Sequence, residues 1–388
     1  MRILFVIDSL GASGAEHSTA MLLPLLRARG HDVSVATLYD AGYGDEDHIR
    51  AEGFAVRPLA AQHFLGRVRE LRRRIQSDRP DVVHTALFTS DVIGRIAAWR
   101  TGARVVSSLV STPYAPERLS DPAVKHWKVR LVQVVDAVTA RLLTHRLHAV
   151  SEGVADVNAH DLNHPRQRIG VVERGRAPET FRVSTPQRRL HARSALDIVP
   201  DAPVVLAVGR QEYAKAYADL VRATDFVVER CPDLVVLIAG REGNATEALR
   251  AALREHPRAA RAVRLLGHRH DIPELLCAAD VLSISSQYEG TAGAAIEALA
   301  TGCPVVCTDL AGVRGFLRDE DTALLVPVGS PAALADALHR VLVDTDLANR
   351  LRENGRNEFE QRFTMDASAS KMEQFYLALL QAHSGHGR

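Results

Sequence analysis

The chain has 388 residues, of which 46% are hydrophobic and 24% charged, and its formal net charge is +1 at pH 7. A chain of this length exceeds what one hydrophobic core organises, so two domains are expected. The near-neutral charge argues against a general nucleic-acid binder, which would carry a basic excess.

The first half of the chain alternates apolar, β-rich runs with helical patterns. The predicted strands are residues 2–7, 32–38, 81–84, 104–109, 147–150 and 169–172. The predicted helices are residues 15–29, 65–77, 91–100 and 123–143. Apolar strands that are separated by helices are typical of βαβ units around a parallel sheet.

The same pattern restarts after a polar, Arg-rich connector over residues 180–203. Strands are predicted at residues 204–208, 234–239, 263–266, 281–285, 304–308 and 323–326. Helices are predicted at residues 217–230, 245–256, 272–278, 292–301, 331–344, 346–363 and 365–381. The sequence therefore predicts an α/β protein with two Rossmann-like, doubly wound parallel-sheet domains, residues 1–180 and 181–364, that face each other across a cleft. Ligands bind such sheets beyond the carboxyl ends of the strands, so two sheets suit group transfer between two bound molecules.

The strongest motif lies between a predicted strand and a predicted helix and runs Glu289-Gly290-Thr291-Ala292-Gly293-Ala294-Ala295-Ile296-Glu297. Its small residues would let a ligand reach the N–H groups at the helix N-terminus, whose partial positive charge suits a diphosphate. Glu297, about two turns into the helix, has the two oxygens needed to accept hydrogen bonds from a ribose diol. A close helix–sheet contact with two solvated glutamates would give the same pattern, so the motif alone leaves both interpretations open.

A second candidate site follows the strand at residues 204–208. Gly209 permits a tight turn there, and Arg210 and Lys215 come next. A guanidinium and an ammonium group at the carboxyl end of a strand would neutralise a departing diphosphate. Two surface cations after a strand are the equally weighted alternative.

Three weaker signals lie at the ends of other strands. The glycine turn at residues 11–16 places Gly14 at a helix start, where a ligand can approach the backbone. Gly267 and His268 end another strand and would set backbone groups against a nucleotide base, although a plain turn explains them as well. His84 ends the strand at residues 81–84 and is interpreted equally as an acceptor-side contact or as a cap of the sheet.

Taken together and in this order, these segments resemble the large group of retaining glycosyltransferases called family 4, which have the two-domain fold known as GT-B. The resemblance covers essentially the whole chain. In the second half it rests on Val208-Gly209-Arg210, Lys215, Ile238-Ala239-Gly240, Leu266-Gly267, the pair Glu289 and Glu297, Gly302-Cys303-Pro304-Val305-Val306 and Leu325-Val326-Pro327. In the first half it rests on Ser13-Gly14-Ala15-Glu16 and Asp81-Val82-Val83-His84.

The resemblance implies a retaining glycosyltransferase that takes a UDP- or GDP-sugar as its donor substrate and needs neither a cofactor nor a metal. By this resemblance Arg210 and Lys215 would hold the diphosphate, and Glu289 would lie near the transferred sugar. Glu297 would bind the ribose. The rest of the donor site would consist of Gly14, Gly209, Gly267, His268 and the loop Gly290-Thr291-Ala292-Gly293. In many members the last helix returns to the first domain, which we expect here for residues 365–381.

The chain departs from the family pattern at several positions. Val110-Ser111 stand where the family often has a histidine, and Arg174, Ala216 and Gly315 stand in place of the usual Asn, Gly and Glu. These departures leave open a catalytically impaired relative that serves as a binding or scaffold partner. A sugar-nucleotide epimerase of the same fold is the further alternative. The joint presence of the two cations and the two glutamates favours the transferase.

The surroundings of the protein can be inferred in part. The four cysteines form no CxxC pair, so they are expected to be buried, reduced residues of a cytosolic protein. No apolar run reaches the roughly 18 residues of a membrane span. One predicted helix carries Arg67, Arg69, Arg72, Arg73 and Arg74, which form either a solvated face or a peripheral contact with an anionic membrane. The sequence specifies neither the acceptor, be it a glycan, a lipid-linked glycan or a metabolite, nor the oligomeric state.

Overall fold

The structure is a computed structural model that describes residues 1–11, 14–40, 42, 44–121 and 124–384, with side chains as far as residue 381. The chain divides into two units. The first comprises Met1–Gly175 and Met365–Arg388, and the second comprises Arg176–Thr364. The sequence predicts this boundary at residue 180, so the second unit begins earlier than expected.

The first unit is built on a parallel sheet of seven strands. These are β1 (Arg2–Ile7), β2 (Asp32–Thr37), β3 (Val56–Pro58), β4 (Val82–Ala86), β5 (Arg104–Leu109), β6 (Arg146–Ala149) and β7 (Ile169–Val171). Their order across the sheet is β3-β2-β1-β4-β5-β6-β7. The order reverses between β1 and β4, which is the switch point of a doubly wound sheet.

In the described part of this unit, seven α-helices connect these strands. They are α1 (Gly14–Ala28), α2 (Glu46–Ala51), α3 (Phe64–Asp78), α4 (Phe88–Ala98), α5 (Pro116–Leu119), α6 (His126–Leu143) and α7 (Glu152–Asp161). The sequence predicts four of the seven and leaves α2, α5 and α7 out, together with strand β3. Each of the missed elements is short. Helix α7 begins at a hydroxyl cap, since Ser151 Oγ accepts a hydrogen bond from the Val154 N–H at 3.2 Å.

The second unit repeats the architecture with six parallel strands. These are β8 (Val204–Val208), β9 (Val235–Ala239), β10 (Val263–Gly267), β11 (Val281–Ile284), β12 (Val305–Thr308) and β13 (Leu324–Val326). Their order is β10-β9-β8-β11-β12-β13, with the switch point between β8 and β11. The helices are α8 (Pro186–Ser194), α9 (Tyr217–Arg230), α10 (Thr246–Glu255), α11 (Pro257–Ala262), α12 (Ile272–Ala278), α13 (Gly293–Thr301), α14 (Pro331–Val343) and α15 (Thr345–Arg362).

The last helix, α16 (Met365–Ser384), belongs to the first unit, as predicted. Ala369, Met372, Tyr376 and Leu379 recur at helical spacing and lie in the same buried cluster as residues of β1, β2 and α1. The apolar stripe of α16 therefore completes the core of the unit in which the chain began. The two doubly wound sheets confirm the predicted fold class.

Two predictions need correction. The sequence predicts no helix in the polar connector at residues 180–203, but the structure has helix α8 there. His84 does not end its strand, since β4 continues to Ala86. None of the helices in the described part of the chain is long and apolar enough to cross a lipid bilayer.

Candidate active site

The strongest sequence motifs meet at the switch point of the second sheet. Strand β8 pairs with β9 on one side and with β11 on the other. The segment that follows β8 begins at Gly209, and the segment that follows β11 leads to Glu289 and α13. Because consecutive connections leave this point on opposite faces of the sheet, the carboxyl ends of β8 and β11 border a crevice suited to a ligand.

Lys215 and Glu289 form an ion pair at this crevice. Lys215 Nζ donates to Glu289 Oε1, which also accepts from Ser286 Oγ at 2.8 Å. Two further hydrogen bonds join the segments that carry the pair. Ser285 Oγ donates to the Lys215 carbonyl at 2.8 Å, and the Gln287 N–H donates to the Ala214 carbonyl at 2.7 Å. Both charged side chains are largely shielded, at 23% and 15% exposure. The structure thus brings two of the three predicted catalytic residues into direct contact.

Gly209 supports the Lys215 side chain. Its φ of +146° lies where L side chains are rare, and a Cβ there would stand 2.7 Å from Lys215 Cε. The Tyr217 hydroxyl donates to the Gly209 carbonyl at 2.9 Å and so fixes the turn from beneath. Arg210 is exposed, and its guanidinium pairs with Glu212. A diphosphate at Arg210 would have to displace that carboxylate.

Helix α13 begins one residue later than predicted, at Gly293, and Ala292 at its N-cap has a left-handed conformation with φ 43°. Thr291 and Ala292 are buried, so the small residues of this loop pack closely as well as bordering the crevice. The loop also touches the turn after β12, because a Cβ at Gly312 would lie 2.1 Å from the Gly290 carbonyl oxygen.

Glu297 is the fifth residue of α13 and lies about one turn from its start rather than two. Its Oε1 accepts a hydrogen bond from Arg176 Nε at 2.8 Å, and both side chains are mostly buried. Arg176 also covers the helix start, since a Cβ at Gly293 would lie 2.6 Å from Arg176 Nη2. Sequence reasoning missed Arg176, because nothing in the sequence distinguishes it from the neighbouring Arg174.

Gly267 and His268 also lie at the carboxyl ends of the strands, but on the outermost strand of the sheet. Strand β10 is the outermost strand and is separated from β8 by β9. The Gly267 carbonyl accepts from the Gly240 N–H at 2.7 Å, and Gly267 has a φ of +64° at an irregularity in the pairing. His268 is exposed, and its ring lies 4.5 Å from that of His270. These residues are available to a ligand that extends from the crevice along the edge of the sheet.

Comparison with known proteins covers both units. The family described as "Glycosyl transferase 4-like domain" matches residues 13–175, and the family "Glycosyl transferases group 1" matches residues 189–358. The D-inositol 3-phosphate glycosyltransferase of Xylanimonas cellulosilytica is 30% identical over 76% of this chain and 71% of its own length. The chain belongs to the group 1, family 4-like glycosyltransferases.

This glycosyltransferase is also similar to a second curated protein and, in fold, to a solved structure. The D-inositol 3-phosphate glycosyltransferase of Corynebacterium urealyticum is 33% identical over 58% of this chain, and the match spans about half of that protein's length, 54%. A crystal structure of Anabaena HepE with UDP and glucose superposes with a TM-score of 0.84, covering 97% of this chain and 100% of HepE at 20% identity. At that identity the superposition shows a shared fold.

In the first unit of this glycosyltransferase, Gly14 is the first residue of α1, and its carbonyl accepts from Arg174 Nη1 at 3.2 Å. Ala12 and Ser13 of the predicted glycine turn lie outside the described residues. Strand β1 borders the switch point of the sheet, and α1 with Gly14 is the first helix after it, which agrees with the location expected of a ligand-binding segment.

His84 lies in a buried chain of hydrogen bonds. Its Nδ1 is 2.5 Å from the Tyr376 hydroxyl and its Nε2 is 2.7 Å from Ser108 Oγ, which is 2.8 Å from His148 Nδ1. His148 Nε2 donates to the Val172 carbonyl at 3.0 Å. Burial lowers the pKa of both histidines, that of His148 to about 4, so both rings are neutral and the chain has one direction. Each hydroxyl or ring N–H then donates to the next acceptor from Tyr376 towards Val172.

This arrangement bears on the two interpretations of His84. Both ring nitrogens have partners within the first unit, which favours a structural role. The buried hydrogen-bond chain also borders a cavity, which is lined by His84, Ser108 and His148 together with Ser18 and Arg174. Residues of α1 and α16 line the same cavity. The acceptor-side role of His84 stays a prediction.

The arginines of α3 are partly engaged within the protein. Arg67, Arg72 and Arg74 donate to backbone carbonyls, and Arg74 also pairs with Glu70 at 2.7 Å. Arg69 and Arg73 are exposed. Three of the five guanidinium groups therefore stabilise the first unit, and a membrane contact through this helix stays a prediction.

Proposed function

We propose that this glycosyltransferase transfers a sugar from a nucleoside diphosphate sugar to an acceptor hydroxyl, with retention of anomeric configuration and without a divalent cation. The observation that carries the proposal is the Lys215–Glu289 pair at the sheet's switch point, directly before the N-terminus of α13. Negative charge develops on the diphosphate as it leaves. An ammonium group and the N–H groups of a helix start can stabilise that charge from fixed positions.

In the proposed reaction the bond between the anomeric carbon and the diphosphate oxygen breaks. The acceptor oxygen bonds to the same carbon from the face that the diphosphate leaves, and the acceptor proton passes to the leaving diphosphate. Lys215 neutralises the leaving diphosphate. Glu289 is bonded to Lys215 and therefore lies close enough to contact the sugar that the diphosphate carries. Glu297 accepts hydrogen bonds from the ribose diol while Arg176 Nε stays bonded to its Oε1, because a carboxylate has room for more than two donors.

The donor is a UDP- or GDP-sugar in this proposal. Support comes from the fold shared with HepE, whose structure contains UDP and glucose. The relatives named for D-inositol 3-phosphate offer one class of acceptor, a phosphorylated polyol. We place the reaction in a reducing compartment, because Cys277, Cys303 and Cys307 are free and buried, and burial raises the pKa of the Cys303 thiol to about 12.

The test is calorimetric titration with UDP, GDP and ADP in the presence of a chelator. One nucleotide should bind, and Glu297→Gln should weaken it while Glu353→Gln, an exposed residue of α15, should not. The sugar forms of that nucleotide are then screened for slow hydrolysis and for product stereochemistry by proton NMR. Binding without any hydrolysis or transfer would favour an impaired relative, and binding of none of the three would contradict the proposed donor site.

A further inference from the structure

Helix α6 carries its apolar residues on the outside. Trp127 and Leu142, near its two ends, are 66% and 72% exposed, and four more large apolar residues between them are exposed as well. These are Leu131, Val134, Val135 and Val138. Most helices on a protein surface show the opposite arrangement, with their apolar stripe against the core.

The six residues form one continuous stripe. Their positions, 127, 131, 134, 135, 138 and 142, follow the spacing of three or four residues that places side chains on one face of a helix. The opposite face is attached to the first unit, because Ala140 is fully buried and Asp136 is paired with Arg95 at 2.6 Å. We call the exposed stripe and its flanking cations the α6 surface.

The charges beside the stripe are positive. Lys128 lies on one side of it and Arg130 and Arg141 lie on the other, while Lys125 precedes the helix. The one acidic residue in the sequence of α6 is Asp136, which is buried against Arg95 and accepts a hydrogen bond from the Tyr114 hydroxyl at 2.8 Å. Among the residues that the structure describes, these four cations form no ion pair, so the outward face of α6 combines apolar side chains with positive charge.

We propose that the α6 surface binds the face of a lipid bilayer that contains anionic headgroups. An apolar stripe with cations at its edges suits the boundary between headgroups and acyl chains, because long Lys and Arg side chains reach the phosphates while the stripe enters the apolar layer. Trp127, with Lys128 Nζ 5.6 Å from its ring centroid, is of the type enriched at that boundary. The inference is independent of the proposed sugar transfer, since α6 belongs to the first unit and Lys215, Glu289 and Glu297 belong to the second.

Sedimentation with vesicles tests the proposal. The wild-type protein should sediment with vesicles that contain phosphatidylglycerol and only weakly with pure phosphatidylcholine. The double variant Leu131→Glu, Val138→Glu should lower this binding at least about tenfold, because it removes apolar burial and adds like charge. Val343→Glu changes an equally exposed apolar residue at the end of α14 and should leave binding intact. Unchanged far-ultraviolet circular dichroism and thermal unfolding of the double variant verify that it is folded.

Two further measurements test whether α6 contacts anionic lipid, as opposed to α3 binding the membrane or α6 binding a second copy of the protein. Arg130→Gln should lower the affinity for anionic vesicles about fivefold and leave the weak binding to phosphatidylcholine unchanged. In a Trp99→Phe background the fluorescence of Trp127 should shift to the blue on anionic vesicles. The proposal is overturned if anionic vesicles do not bind, or if Arg69→Gln with Arg73→Gln on α3 abolishes binding that the α6 variant retains. It is equally overturned if light scattering shows a dimer that the α6 variant dissociates while vesicles have no effect.

Discussion

Arg176 and Glu297 are joined by a hydrogen-bonded ion pair, with Arg176 Nε 2.8 Å from Glu297 Oε1, although they lie far apart in the sequence. The pair attaches the first residue of the second unit to helix α13. A carboxylate that is mostly buried needs such a partner, because an unpaired buried charge is costly. Arg176 thus holds in place the carboxylate that we propose binds the ribose.

Arg176 is accordingly expected to act as a positioning residue. Arg176→Gln should raise the KM for the donor several-fold and leave kcat nearly unchanged, because it disturbs the binding of the ribose and not the departure of the diphosphate. Arg176→Lys should restore part of the affinity. Steady-state kinetics separate the two constants, and a loss confined to kcat would contradict this role.

The Lys215–Glu289 pair makes an opposite prediction for its two members. Lys215→Ala should lower kcat by about 100-fold or more, as expected when a preorganised charge is removed from a leaving group. Glu289→Gln should bind the nucleoside diphosphate at least as tightly as the wild type, since it removes a carboxylate that competes for Lys215, yet its turnover should fall. Calorimetry combined with a transfer assay checks both variants. Weaker nucleotide binding in Glu289→Gln would show that Glu289 does not compete with the diphosphate.

The sequence predicts the regular part of the fold well, for physical reasons. Strand β8 and helix α9 have the predicted bounds, because β8 is a continuous apolar run and the apolar residues of α9 recur at helical spacing. Helix α8 was missed, although Thr185 and Pro186 are a cap and a first residue typical of helices. Its arginines suggest a solvated connector, yet Arg193 is buried and pairs with Asp280 at 2.8 Å. Partners so distant in the sequence, like those of Glu297, come from the tertiary structure.

At two loop positions that hold alanine, glycine should give a more stable protein. Ala216 and Ala292 have φ values of 46° and 43°, in the left-handed region. This conformation costs an L-residue about 1–2 kcal/mol, part of which is offset by the greater freedom of glycine in the unfolded chain. Ala216→Gly should therefore raise the free energy of unfolding by about 0.5–1 kcal/mol. Ala248→Gly, an exposed helical residue of α10, is the matched control and should lower it. Chemical denaturation followed by circular dichroism measures both, and a loss in Ala216→Gly would contradict the argument.

The buried chain that starts at Tyr376 should stabilise the first unit. Tyr376→Phe removes the donor to His84 Nδ1 and leaves this nitrogen buried without a partner. The expected cost is about 1–3 kcal/mol. Hydrogen exchange of peptides from β4 and α16 reports on this region, and their protection should fall while that of β8 stays unchanged. Tyr39→Phe, an exposed residue, is the control. Unaltered protection in the Tyr376 variant would show that the hydroxyl contributes nothing.

The acid stability of the first unit should depend on His148. Burial lowers its pKa to about 4, below its ordinary value of 6.5. Between these values the unfolded chain binds a proton that the folded unit does not, so the stability contributed by neutral His148 is complete above pH 6.5 and is lost as the pH falls towards 4. The loss amounts to about 3 kcal/mol over this range.

Asp91 acts in the opposite direction and provides the control. Burial raises its pKa to about 7, so the folded unit binds the extra proton and stability falls as the pH rises from about 4 to about 7. Asp91→Asn should therefore steepen the loss of stability on acidification, whereas His148→Gln should make it shallower. Denaturant unfolding between pH 4.5 and 7, monitored by hydrogen exchange in β4 and β6, gives the slope of stability against pH for each variant. Equal slopes in the wild type and His148→Gln would mean that this imidazole becomes protonated without cost in the folded protein.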